Sequence, residues 1–157
     1  MKNVYVAMDN IRSLYNVGSI FRTCSFFGFE KVILVGYSGT KFNFKNEKVL
    51  HPKLEKTSLG AENDVESIFI ENAEELFHFA KENKLKIISI EQKERSTLLK
   101  DWKPEDSTIL VFGNELKGVS KEILEISDEV VEIERQGNKH SLNVATAAGI
   151  VLHHVKE

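Results

Sequence analysis

The sequence predicts an α/β fold, a mostly parallel sheet flanked by helices on both faces, and three observations carry that prediction. Short apolar runs recur at Val4–Met8, Val32–Val35, Lys86–Ile90 and Thr108–Phe112, as expected of strands, and the continuous Val32–Val35 is typical of one buried on both faces. Between them lie stretches whose apolar residues fall at helical spacing, so strands and helices alternate. Polar islands rich in small residues and amides sit beside those runs: Asn16–Thr23, Phe112–Val119 and Ser141–Ala145. Ligands in such sheets bind beyond the carboxyl ends of the strands.

Taken in order, Val4–Met8 is the first strand, closed by Asp9-Asn10. Val17, Ile20, Phe21, Cys24 and Phe27 make a helix of Tyr15–Phe27, with Gly28 as its stop. The next strand, Val32–Val35, ends at Gly36, and the polar stretch Tyr37–His51 reads as a long loop. Pro52 opens a short helix that Gly60 ends. A strand over Val65–Ile70 leads to Asn72, which caps a helix with Glu75 at capping-box spacing and a stripe of Leu76, Phe77, Phe79 and Ala80. Strands follow at Lys86–Ile90 and Thr108–Phe112. Ser120 starts a helix through Leu124, Val130–Ile133 is the last strand, and Leu142–Val155 the closing helix.

The 157 residues are enough for one domain, and neither a linker nor a repeat is visible, so residues 1–157 are expected to form a single unit. No apolar run reaches the roughly 20 residues needed to cross a bilayer. The opening Met1-Lys2-Asn3-Val4-Tyr5-Val6 runs directly into strand-like sequence without a leader pattern. One cysteine excludes an internal disulfide, and a cytoplasmic protein is expected. Net charge of −3 gives no general attraction to nucleic acid. Between Lys41 and Lys56, however, Lys41, Lys45, Lys48, Lys53 and Lys56 face only Glu47 and Glu55, with Phe42 and Phe44 among them. Such a run is either a solvated face or a surface for RNA.

Each island has a plain reading beside a functional one. Gly113 and Gly118 have P-loop spacing and are followed by Val119 and Ser120, but Val119 stands where Lys is required, which disfavours a triphosphate. Glu115 is either a surface-turn carboxylate or an acceptor for backbone amides and the third island. Arg22, among apolar helix neighbours, either snorkels to water or meets phosphate or carboxylate. Asn16, near the helix start, is equally a cap. Ser141, before an apolar helix, is first of all an N-cap. Cys24 reads as a small core residue. His153 and His154 point to different faces, and neither a His-Glu-x-x-His nor a cysteine pair is present, so no metal site is expected.

Together the islands resemble the three motifs of the SpoU (TrmH-like) branch of the SPOUT superfamily, the knotted RNA 2′-O-ribose methyltransferases. Motif one is matched by Asn16, Gly18 and Arg22, motif two by Gly113, Glu115 and Gly118, and motif three by Ser141, Leu142 and Asn143. Lys56-Thr57-Ser58-Leu59-Gly60-Ala61 resembles the basic-Ser-x-Gly-Ala segment common in the family. One departure is visible: the family usually has Ile-Pro-Met before motif three, whereas here Ile133 is followed by Glu134 and Arg135.

The resemblance implies a C-terminal deep trefoil knot and S-adenosylmethionine as cofactor. Matching positions imply cofactor contacts from Ile90, Gly113, Asn114, Glu115, Gly118, Ile133, Ser141 and Leu142. A homodimer is implied, with Arg22 acting across the interface, and catalytic roles for Arg22, Asn16, Glu115, Ser141 and Asn143. The expected reaction is methyl transfer to a ribose 2′-hydroxyl of tRNA or rRNA. The alternatives are a non-catalytic RNA-binding or assembly protein on the same fold, or methylation of a base. The chain reads as the catalytic domain with no RNA-binding extension, which leaves recognition to the dimer surface, with Arg22, Lys41, Lys45, Lys56, Lys93, Arg95, Lys117 and Lys139 as the expected contacts.

Overall fold

The computed structural model describes residues 2–157 of the chain; Met1, first residue of the run read for a leader, lies outside the described residues. β1 (Val4–Asp9) leads into α1 (Leu14–Phe27) and then β2 (Lys31–Val35). A short hairpin follows, β3 (Thr40–Phe42) and β4 (Lys48–Leu50), then α2 (Glu55–Ser58), α3 (Ala61–Asp64) and β5 (Glu66–Ile70). The remainder is α4 (Ala73–Glu82), β6 (Lys86–Ile90), β7 (Thr97–Leu98), β8 (Thr108–Phe112), α5 (Lys121–Ile126), β9 (Glu129–Glu132) and α6 (Val144–Lys156).

Seven strands form one sheet in the order β5-β2-β1-β8-β6-β9-β7, and each of its pairings is parallel. The period of two along each strand divides the core. Val6, Met8, Leu110 and Phe112 pack with Ile20 and Phe21 of α1 and Val151 and Leu152 of α6. Ala7, Ile109 and Val111 pack on the other face with Leu76 and Ala80 of α4 and Ile123 of α5. All of β8 is buried, as the continuous apolar run requires. The mostly parallel α/β architecture expected from the sequence is borne out.

Local chemistry sets the helix ends. Ser13 caps α1 by accepting from the Asn16 N–H, so Asn16 is inside the helix and is not its cap. Gly28, at φ 70°, ends it with the left-handed turn that a glycine adopts without a Cβ clash. Asn72 caps α4 by accepting from the Glu75 N–H, while the Glu75 carboxylate reaches back to the N–H of Glu71, one residue before the cap. Asn143 caps α6 by accepting from the N–H groups of Ala145 and Thr146. The expectation that Ser141 caps this helix is therefore corrected: a cap needs its oxygen two to three residues before the first free N–H groups, and Asn143 holds that place. The Tyr37–His51 stretch is also corrected, because it contains the antiparallel β3–β4 hairpin with Thr40 opposite Leu50 and Phe42 opposite Lys48.

Two loops leave neighbouring strands in opposite directions. The one after β1 turns to α1 on one face of the sheet, and the one after β8 turns to α5 on the other. Such divergence opens a crevice at the carboxyl edge.

Candidate active site

That edge carries a cavity of about 590 Å³, a volume in the range of small-molecule sites. Its walls are Ile90 to Lys93 after β6, Phe112 to Gly118 after β8, and Glu132 to Leu142 after β9, with Val144 and Ala147 of α6 closing one side.

The loop after β8 is tied at every turn. Asn114 and Gly118 exchange backbone hydrogen bonds of 3.0 and 2.9 Å. The Asn114 side chain donates to the Asn10 carbonyl at 2.7 Å and accepts from the N–H groups of Leu116 and Lys117 at 2.9 and 3.0 Å. Gly118 adopts φ 70°, and a Cβ there would run into the Glu91 carboxylate. Gly113 lies so close to the Gly118–Val119 backbone that any side chain would overlap it. Gly113 is needed for close approach of chain to chain, and Gly118 for its left-handed backbone.

Glu115 is the junction. Its Oε1 accepts from the Ser13 N–H at 2.9 Å and the Asn16 side-chain amide at 3.0 Å, and its Oε2 from the Arg12 N–H at 3.0 Å. Burial lifts the carboxyl, but the Asn16 amide and the Arg12 and Ser13 backbone N–H groups outweigh it and hold the group below the ordinary glutamate value. Asn16 in turn accepts from the Asn143 side-chain amide at 3.1 Å. One line of hydrogen bonds, Glu115 to Asn16 to Asn143, joins the three islands. The surface-turn reading of Glu115 is thereby replaced by the acceptor reading.

Not every expected residue lies at the cavity. Ile90, Gly113, Asn114, Glu115, Gly118, Ile133, Ser141 and Leu142 line it. Asn16 and Asn143 stand behind it through Glu115. Arg22 is outside the cavity of its own chain, exposed on α1. Gly18 is also away from the cavity; a Cβ on it would collide with the Thr57 side chain and the Ser58 N–H, so this glycine lets α1 lie against α2. Lys41, Lys45 and Lys56 are exposed. Lys48 is withdrawn from the basic run, since its ammonium donates to the Gly36 carbonyl at 2.8 Å and to Glu71 at 2.6 Å. Cys24 is sealed in the core and burial pushes its thiol up to about 12, as expected of a packing residue.

Two carboxylates escaped the sequence reading. Asp9, buried at the end of β1, accepts from the Ser120 N–H at 2.7 Å, and Glu91 after β6 accepts from the Val119 N–H at 3.0 Å. They hold the start of α5 and the end of the loop from opposite sides. The available signal was an acidic residue directly after an apolar strand.

The family model that matches residues 3–153 describes the SpoU rRNA Methylase family. The chain belongs to that family. A tRNA (guanosine(18)-2'-O)-methyltransferase of Aquifex aeolicus is 30% identical over 156 residues, covering 97% of this chain and 68% of the relative. The mitochondrial rRNA methyltransferase 1 of Dictyostelium discoideum is 28% identical, and this family member spans 96% of its own length but only 28% of that protein. The crystal structure of the A. aeolicus TrmH/SpoU tRNA modifying enzyme superposes with a TM-score of 0.82 at 28% identity, over 99% of this chain and 75% of that one. Among the described residues, no helix is long and apolar enough to cross a membrane, and no group of His, Cys, Asp and Glu is placed to hold a metal ion.

Proposed function

We propose that this chain transfers a methyl group from S-adenosylmethionine to a ribose 2′-hydroxyl of tRNA or rRNA, as a homodimer in which Arg22 of one protomer completes the cavity of its partner. The Glu115–Asn16–Asn143 line carries the reading, because it ties residues of all three family motifs together at one cavity, with Glu115 on its lining and Asn16 and Asn143 behind it. The lining fits the cofactor chemically. Ile90, Ile133 and the half-exposed Leu142 offer apolar faces for a flat base, and the loop after β8 offers backbone groups for polar ones. When bound, S-adenosylmethionine supplies an electrophilic sulfonium methyl group. A deep trefoil knot between β8 and α6 would fix the cavity walls against each other.

The protein's part is orientation and charge. Arg22 would sit beside the 2′-oxygen and the adjacent phosphate as a hydrogen-bonding cation, because a guanidinium is too weak an acid to rest neutral. Asn16 and Glu115 would keep α1, and with it Arg22, in register with the cavity. The exposed α1 stripe of Tyr15, Arg22 and Phe26, with Tyr15 67% and Phe26 83% exposed, supports the dimer. A second copy is the occupant that would cover these rings and deliver the arginine. The cytoplasm is the compartment proposed, on the single buried thiol.

Titration with S-adenosylmethionine and mass analysis of nucleosides from treated RNA test the function. A methyl that stays with the sugar when the base is cleaved is the expected product; a methyl on the base, or cofactor that does not bind, overturns it. Arg22→Lys keeps the charge but loses the planar fork, and turnover is expected to fall by about 100-fold or more with cofactor affinity kept. Wild-type turnover in that variant removes Arg22 from the site. Sedimentation equilibrium with Tyr15→Glu checks the dimer.

A further inference from the structure

Neither the cavity nor the α1 stripe uses the β3–β4 hairpin. Phe44, at its tip, is 96% exposed, and Phe42 is 59% exposed. The tip is nevertheless ordered by one residue. Asn43 accepts through its side chain from the N–H groups of Lys45 and Glu47, both at 2.9 Å, and donates to the Glu47 carboxylate at 2.9 Å. Its carbonyl accepts from the Asn46 N–H at 2.9 Å, with Asn46 in the left-handed region at φ 59°. The phenyl ring of Phe44 is thus held out into water by a turn whose polar groups are paired. Such a ring contributes nothing to the core.

We propose that this hairpin is a stacking platform for unpaired nucleobases of the RNA substrate, with Phe44 and Phe42 as the stacking faces and Lys41 and Lys45 as the phosphate contacts. The identity of the ligand rests on the RNA methyltransferase reading above. Lys48 lies 5.8 Å from the Phe42 ring centroid and is bound elsewhere, so it covers one face of that ring and leaves the other. Lys41 and Lys45 are exposed and have no carboxylate partner among the described residues. Aromatic rings interleaved with unpaired cations are the composition of single-strand platforms, where any base can lie on a ring and the cations follow the backbone. A duplex keeps its bases inside its stack, so the platform selects loops and single strands. The aliphatic Val49 and Leu50 are half-buried, which leaves the hairpin's outer surface to rings, amides and charges; that favours RNA over a lipid or protein partner.

The platform is anchored beside the cavity. The hydroxyl of Tyr37, just before the hairpin, lies 3.3 Å from the Asn114 amide, and the His51 N–H after it donates to the Gly39 carbonyl at 2.8 Å. Bases flanking the methylated nucleotide are therefore the ones this arm would hold.

The test uses the full chain carrying Phe44→Trp, with its indole emission followed during titration with a short oligouridylate and with a fully paired RNA duplex. Trp102 is buried and provides a constant background. Saturable quenching by the oligouridylate and none by the duplex is expected. By competition, Phe44→Ala should weaken oligouridylate binding by about 5-fold to 150-fold, Phe44→Leu should weaken it equally, and Phe44→Tyr should match wild type. Cofactor affinity should be unchanged in all four. Absent quenching, equal quenching by duplex, or wild-type binding in Phe44→Leu overturns the platform, the last because it marks a merely apolar contact of the kind a protein or lipid makes. Loss of methyl transfer with quenching retained would remove the proposed reaction and keep the platform. Transfer at wild-type KM in Phe44→Ala would do the reverse.

Discussion

The two long walls of the cavity are built on opposite terms. Between Gly113 and Val119 the chain bonds to itself, to the loop after β1 and to the loop after β6, and its glycines are fixed by backbone contact at Gly113 and by the Glu91 carboxylate at Gly118. Between Glu134 and Leu142 every residue is exposed. That second wall is spanned by a Lys100–Glu134 ion pair at 2.8 Å and an Arg135–His140 contact at 2.7 Å. These polar contacts occupy the positions where the family usually has Pro-Met. One wall is held by hydrogen bonds to its neighbours and the other lies open to water, which teaches that polar pairing in this site is concentrated around the loop that follows the central strand β8.

The contrast can be broken with single residues. The largest effect is expected for Gly113→Ala, whose new Cβ has only backbone to displace; a loss of about 3 kcal/mol in urea unfolding is expected, with cofactor binding abolished in calorimetry. Next comes Glu115→Ala, which leaves the Arg12 and Ser13 N–H groups and the Asn16 amide without their acceptor and should cost about 1–3 kcal/mol. Its pH dependence has a definite sign. The folded carboxyl lies below its unfolded value, so its stabilisation is complete above the ordinary glutamate range and is lost as pH falls through the folded value. The stability difference between wild type and Glu115→Gln should accordingly stay level from neutral pH down to that range and shrink below it. The smallest effect is expected in the open wall: a Cβ at Gly137 meets nothing, and Gly137→Ala should change stability by no more than about 0.5 kcal/mol. Equal losses at Gly113 and Gly137 would abolish the distinction.

Strands buried on both faces were legible because nothing but continuous apolar residues fits there, as Thr108–Phe112 illustrates. The hairpin at Thr40–Phe42 and Lys48–Leu50 was not, since its strands are three residues each and none of those residues is fully buried. β7 has only two residues and left no periodic signal. At the site, the motif residues of the cavity were legible by resemblance, but the partner of each polar group was not. Ser141 and Asn143 both have the chemistry of a cap, and only the helix start at Val144 separates them. Asp9 and Glu91 accept from amides far along the chain, a pairing that depends on strand order, which no local pattern encodes.

The bond between Asn143 and Asn16 spans 127 positions and that between Asn16 and Glu115 spans 99. Contacts of such sequence separation are made late in folding and slow it. A ribosome must therefore release the chain through α6 before the pocket can assemble, and nascent fragments that stop short of α6 would lack the bond that ties Asn143 to Asn16.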